Sequence, residues 1–305
     1  AFGDEPGRYD PGNIWLFRVP TMVCAMAAGL LTWRIGLRLL DPRAAWLGAA
    51  MLAVSPIVVW DAHQARADQL LLACTTGAML ALAAVWQRSN QPGGRASMGW
   101  PLAFWFCIAA GILAKGPITP MIAGLTVVAL SLLGGRWRWV GSLRPVLGML
   151  LVAALVLPWV IAVGQRVGWG AYAQTIFDET LGRSAAPKEG HWGPPGYHLV
   201  LLTVLMWPGS LLTGWALLHD RDRHAERSTG ISGRIRGWFS DDPARRFLLA
   251  WAAPSWLVFE LVSTKLPHYT MPLYPALALL SAQALVRVHD GQRRITDVGT
   301  RIGLG

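Results

Sequence analysis

Charge is scarce in this chain. Asp, Glu, Lys and Arg make up 14% of its 305 residues, against about 25% in an ordinary soluble domain, which excludes a conventionally hydrated surface all round. Acidic residues are the scarcer sign, 17 against 27 lysines and arginines. Cysteine is limited to Cys24, Cys74 and Cys107. Each lies within an apolar run and none has metal-ligand spacing, so a disulfide framework and a zinc module are excluded and three packed thiols remain. There is no Gly-rich phosphate loop, no HExxH pair and no nucleophile elbow. Internal repeats, low-complexity tracts and an aromatic-rich basic face for nucleic acid are missing as well. The chain starts without methionine or signal peptide, and the expectation is a piece of a longer polytopic protein.

What is present is apolar: 53% of the residues are hydrophobic and 17 are tryptophan, so lipid is the main solvent. A spanning helix needs roughly 20 apolar residues. Apolar segments run over 19–40, 44–60, 69–86, 100–113, 118–134, 145–164, 198–218, 247–263 and 269–286. Trp60, Trp86, Trp100 and Trp139 mark segment ends, as rings at headgroup level do. Pro158, Pro208 and Pro254 fall inside segments, where neighbouring helices can re-satisfy the freed backbone groups. The stretch 100–134 would reach roughly 52 Å as one helix, against about 30 Å of hydrocarbon, and Pro117 disfavours a helical Gly116. Two short passes, or a re-entrant pair, are therefore expected.

The fold class is all-α, a polytopic membrane bundle of about nine helices. Residues 1–18 read as an outer loop remnant, 19–164 as six transmembrane helices and 165–197 as an outer loop. Residues 198–286 read as three more helices interrupted by a basic inner linker, 219–246, and 287–305 as a basic inner tail. In this topology the outer side holds only Arg8, Arg18, Arg66, Lys115, Arg166, Arg183, Lys188 and Lys265 of the basic residues. A single pass through 100–134 gives nearly the same charge bias, so helix length decides. In the outer loop, Trp169, Tyr172, Ile176 and Phe177 fall at helical spacing and predict an interfacial helix ended by Gly182. HWGPPG then forms a stiff turn back into the bilayer.

Several polar groups meet on that outer face: Arg66 and Asp68 in ARAD, Lys115 in AKGP, Glu179 and Arg183 in DETLGR. His191, Tyr197 and the trio Lys265, His268 and Tyr269 in TKLPHY join them. Each has a bland reading. Asp68 can cap a helix starting at Gln69, either lysine can snorkel from a helix end, Arg183 can pair with Glu179, and His191 and Tyr197 can pack a loop. Taken together, cations at an interface without a general basic excess point to a bound anion, gripped by lysine as a point charge and by arginine as a fork. Which anion, and which reaction, stays open from the residues alone.

FRVPTM (17–22), ARADQLLLA (65–73), ILAKGP (112–117), ETLGR followed by HWGPPGYH, and STKLPHYTMPLYPALALL (263–280) resemble the aminoarabinose transferase-type (ArnT-like) glycosyltransferases. These are polytopic GT-C enzymes related to dolichyl-phosphate-mannose protein mannosyltransferases. The resemblance runs in order from about residue 14 to 286. It implies transfer of a sugar from a polyprenyl-phosphate carrier to a lipid A-like, glycan or protein acceptor at the periplasmic face of a bacterial inner membrane. Membrane lipids are partners and nucleic acid is not.

The resemblance also implies roles. Lys265 and His268 face the carrier phosphate, with Pro267 and Pro272 restricting the turn that presents them. Arg183 is a second phosphate contact, Lys115 and Arg66 line the same cavity, and Tyr269 supplies a hydroxyl or an aromatic-belt ring. Asp68, Glu179, His191 and Tyr197 support them. A divalent metal is compatible with the family, but the chain supplies no defensible ligand set, and no cofactor is assigned. Asp4 and Glu5 echo the letters of the family's acidic motif without its amphipathic segment or Lys-Pro-Pro. The expectation is thus a catalytic aspartate upstream of residue 1, with the family's last helices and outer domain beyond Gly305. The rival class is a secondary transporter or flippase for an anionic solute or lipid. Against it stand the missing repeat symmetry and the gathering of charge at one face instead of the midplane.

Overall fold

The computed structural model of the chain describes residues 15–94, 96–178, 193–211, 213 and 242–290, and its ordered elements are all helical. They are α1 (Val19–Leu39), α2 (Pro42–Ala53), α3 (Pro56–Ala62), α4 (Asp68–Ser89), α5 (Gly99–Lys115), α6 (Ile118–Gly134), α7 (Pro145–Val167), α8 (Trp169–Phe177), α9 (Tyr197–Leu205), α10 (Pro243–Leu261) and α11 (Tyr274–His289). A 3₁₀ turn, Pro267–Leu273, leads into α11. Proline marks the first turns of α1, α2, α3, α7, α10 and α11, where its missing N–H would have no intrahelical partner anyway. Asp41 and Asp242 add side-chain caps, accepting from Arg43 N at 2.8 Å and Ala244 N at 2.9 Å.

Helix α4 is the axis. Leu72, Met79, Leu82 and Val85 on it are inaccessible to solvent, with α1 packed on one side and α5 on the other. The second buried rod is α11, which packs on α2. Close approach there depends on glycine. A Cβ at Gly36 would sit 2.6 Å from Ala45 Cα, and one at Gly48 would sit 2.7 Å from Leu279 Cδ2. Without a hydrophobic drive between helices in lipid, such backbone proximity is what earns dispersion contact. Core hydroxyls are satisfied locally or in pairs. Thr76 donates to Leu72 O and Thr126 to Ile122 O, both at 2.7 Å, while Thr75 meets Thr119 at 3.0 Å across α4 and α6.

Four helical segments are long and apolar enough to cross a bilayer: Trp15–Leu39, Asp68–Ser89, Pro145–Val167 and Pro267–His289. The pair α2 and α3, bent by 56°, makes a fifth if counted as one span. Helices occupy at least part of all nine predicted intervals, but nine crossings are not reached by length and apolarity among the described residues. The reasons are specific. Helices α5 and α6 have 17 residues each, roughly 25 Å. Helix α10 carries Arg245, Arg246 and Glu260, and α9 has nine residues.

The expected break in 100–134 is present. Gly116 takes φ 64° and ψ −136°, a conformation open to glycine and not to residues bearing a Cβ. Helix α8 matches the predicted run Trp169–Phe177 and none of its residues is buried; its end at Gly182 lies outside the described residues. Helix α7 buries only Gly148 and Gly164. Val146, Met149, Leu150 and Leu157 on it stay exposed, the pattern of a helix whose neighbour is lipid. The remnant at 1–14, most of the linker 219–246 and the tail after 290 also fall outside the described residues.

The glycine contacts lead to a directional expectation. Gly36→Val should lower the apparent Tm in detergent by several degrees, an overpacking penalty of about 1–3 kcal/mol. Gly29→Val, on the same helix with nothing within 4 Å of its Cβ position, should leave it nearly unchanged. Equal effects would refute the close-approach account.

Candidate functional site

The site forms where three segments end. Helix α3 stops at Ala62, the chain turns through His63–Ala67, and α4 begins at Asp68. Two long-range bonds fix this turn: Thr21 Oγ1 donates to Ala62 O at 2.9 Å and Gln69 Nε2 to Val58 O at 3.0 Å. Helix α5 delivers Lys115 as its last residue. The 3₁₀ turn delivers His268 and Tyr269 right after Pro267, which opens it.

Asp68 is 3% exposed and sits at the centre. Its carboxylate accepts from Lys115 Nζ, lies 3.3 Å from Arg66 Nε and 3.7 Å from His268 Nε2. Arg66 Nη2 reaches His268 Nε2 at 3.1 Å, and Lys115 Nζ stands 5.9 Å from the centre of the Tyr269 ring. Asp68 is the first residue of α4 and Ala67 holds the N-cap position, so Asp68 does not stand where a helix starting at Gln69 would need its cap. The cations keep a solvent-facing side, with Arg66 33% and Lys115 30% exposed. Since guanidinium has five N–H donors and ammonium three, these contacts saturate neither.

Asp61 is the residue that sequence reading passed over. It is fully buried, 3.8 Å from Arg66 Nε, and neither of its oxygens accepts a hydrogen bond among the described residues. A signal existed: an acid at the end of an apolar run, seven positions before Asp68, is costly in lipid unless it has work to do.

Lys265 is employed differently from the expected phosphate contact. It is 5% exposed and donates to Gly193 O at 3.0 Å and Pro194 O at 3.1 Å, with Glu260 Oε2 at 3.8 Å. Glu260 accepts from the backbone N–H of Gly196 and His198, both at 3.1 Å, and His198 Nε2 contacts Leu266 O at 3.2 Å. A desolvated ammonium needs such acceptors, and two carbonyls and a carboxylate supply them. Lys265 and Glu260 therefore pin the turn Gly193–Gly196 against the TKLPHY segment. Tyr197 packs beside it, its ring 5.1 Å from that of His198. Glu260 and His198 were also not singled out, although Glu260 is the lone acid of its apolar run. Asp4, Glu5, Glu179, Arg183 and His191 lie outside the described residues. Among the described residues no group of three His, Cys, Asp or Glu could hold a metal.

Two measurements check this geometry. Asp68→Asn and Lys115→Gln should be non-additive in folding stability, with a coupling of about 1–2 kcal/mol in a double-mutant cycle; simple additivity would mean the pair is not energetically linked. Lys265→Met should raise amide hydrogen exchange at Gly196 and His198 about tenfold or more, as loss of a charge-assisted bond is worth about 1.5–3 kcal/mol. Unchanged protection there would remove Lys265 from its stapling role.

Residues 11–161 match the family model for dolichyl-phosphate-mannose-protein mannosyltransferase. An undecaprenyl phosphate-alpha-4-amino-4-deoxy-L-arabinose arabinosyl transferase from Edwardsiella ictaluri is 25% identical over 95% of this chain and 51% of its own length. The protein of the same description from Pseudomonas paraeruginosa is 29% identical over 90% of this chain and 46% of its own. The chain thus spans about half the length of the curated relatives it matches. The crystal structure of ArnT from Cupriavidus metallidurans bound to undecaprenyl phosphate shares the fold, with a TM-score of 0.71, 21% identity, and coverage of 90% of this chain and 46% of that one. Over about nine-tenths of its length the chain is thus similar to the ArnT-like GT-C glycosyltransferases, in sequence and in fold.

Proposed function

We propose that this chain forms the carrier-binding part of a membrane glycosyltransferase that moves a sugar from a polyprenyl-phosphate donor to a lipid acceptor. The observation that carries the reading is the convergence of Arg66, Lys115 and His268 on one buried carboxylate, with both cations still open on one side. The relatives are described as acting on an undecaprenyl-phosphate sugar, and the fold relative was solved bound to undecaprenyl phosphate. In this reading the bundle crosses the inner membrane nine times and the Asp68 end faces the periplasm.

The acceptor oxygen attacks the anomeric carbon, the bond from that carbon to the phosphate oxygen breaks, and its electron pair leaves on the polyprenyl phosphate. Arg66 and Lys115 stabilise that departing charge in a site from which water is partly excluded. Asp68 holds both cations in place before the donor arrives, and the phosphate then competes with it for their donors. Lys265 acts through the Gly193–Gly196 turn, and His268 and Tyr269 back the two cations. The resemblance adds Arg183 as a second phosphate contact and His191 in a supporting role. An acceptor hydroxyl gives its proton to an aspartate that the resemblance assigns to a preceding loop, with Asp4 and Glu5 as the acids of this chain nearest that position in sequence.

Undecaprenyl phosphate binding to the purified chain is the direct test. Arg66→Gln and Lys115→Gln should each weaken binding by about 1–3 kcal/mol, while Arg88→Gln at the other end of α4 should not. Failure of the folded wild type to bind the carrier, or indifference of binding to both changes, would move the transporter reading ahead.

A further inference from the structure

Asp61 has no task in the transfer described above. It lies in the last turn of α3 and is inaccessible to solvent, and neither of its oxygens accepts a hydrogen bond among the described residues. It caps no helix, since α4 begins at Asp68 with Ala67 in the cap position. Gln69, the next residue along α4, directs its amide Nε2 to Val58 O. The ion-pair partner of Asp61 is Arg66, whose Nε stands 3.8 Å from Oδ1, close enough for attraction and too far for a hydrogen bond. A carboxyl group out of water and without a donor is costly, and an acid kept at the edge of the hydrocarbon implies a function.

The same Arg66 Nε lies 3.3 Å from Asp68 Oδ2, so one N–H edge stands between two carboxylates. The two are not equivalent. Asp68 also accepts from Lys115 and lies 3.7 Å from His268 Nε2, so it belongs to the part of the cluster whose cations remain a third exposed. The side chain of Asp61 has no exposure at all. A phosphate that draws Lys115 and the outer N–H groups of Arg66 away from Asp68 removes the firmer anchor of the guanidinium. Asp61, with both oxygens unengaged, is the acceptor left beside that edge. The bland alternative is a static counterion for Arg66, but a static partner would already stand at hydrogen-bond distance. Simple electrostatics predicts the opposite effect on binding, because a buried negative charge beside an anion site repels the anion.

We propose that Asp61 is a positioning residue for Arg66: it takes over the Nε–H as the carrier phosphate displaces Asp68, and so fixes the plane in which the other guanidinium N–H groups meet the phosphate oxygens. Guanidinium binds phosphate as a planar fork, so its orientation matters as well as its charge. Asp61 is sealed from solvent and acts only through Arg66, never on the carrier itself. The proposal rests on the carrier-phosphate reading of Arg66 and Lys115 and adds to it the group that aims one of the two cations.

The test is the Kd of undecaprenyl phosphate for the purified chain, with the Tm of the free chain recorded alongside. Asp61→Asn, close to isosteric, should weaken binding roughly tenfold, the loss of one charge-assisted hydrogen bond. A merely structural Asp61 would lower Tm and leave Kd unchanged, and a merely repelling one would tighten binding when removed. In an Arg66→Gln background the same change should have no further effect on Kd, because the guanidinium it aims is gone. Arg66→Lys keeps the charge and loses the Nε edge, so it should also weaken binding, a measurement that needs no variant of Asp61 to fold. Unchanged or tighter binding by Asp61→Asn, an equal loss in the Arg66→Gln background, or wild-type binding by Arg66→Lys overturns the proposal and leaves the carrier reading standing. A folded wild type that does not bind the carrier overturns both.

Discussion

A carboxylate taken out of water has to recover its lost solvation from donors nearby, and Asp68 recovers it from three stretches far apart in sequence. Arg66 comes from the turn before α4, Lys115 from the end of α5, and His268 from the 3₁₀ turn before α11. None of these segments would be held in this relation by apolar packing alone, since lipid competes equally for apolar faces. The same logic recurs a short distance away, where Glu260 and Lys265 bind the Gly193–Gly196 turn to the chain beneath it. Removing one partner of such a set leaves the others buried and unpaired, the costly case for a buried ion pair.

Lipid as solvent explains most of the remaining architecture. Core threonines back-bond to their own helices because no water is available to satisfy them. Prolines gather in first turns, where they cost no hydrogen bond, and glycines sit where α1, α2 and α11 touch. Helix α7 shows the converse: apolar on nearly every side and hardly buried, it is intelligible only with hydrocarbon around it.

Helix positions were legible because the apolar runs are long and their interruptions are chemically loud. The split at AKGP followed from Gly116 and Pro117, and the run Trp169–Phe177 from its aromatic spacing. Arg66, Asp68, Lys115 and His268 could be named as one group because charge in an apolar chain is rare enough to count. What could not be read was who pairs with whom. Lys265 and Lys115 look alike in sequence, each beside a proline-bearing turn, yet one is sealed against carbonyls and the other stays half-open. Only the three-dimensional course of 193–198 decides that. Asp61 was missed for a related reason: its burial depends on the bend between α2 and α3, which the single apolar run 44–60 conceals.

The break after Lys115 also has a mechanical side. With Thr119 held against Thr75 and facing Gly111, the direction the chain takes at Gly116 is fixed within three residues of the turn. The ammonium of Lys115 therefore projects from an anchored corner and not from a loose helix end.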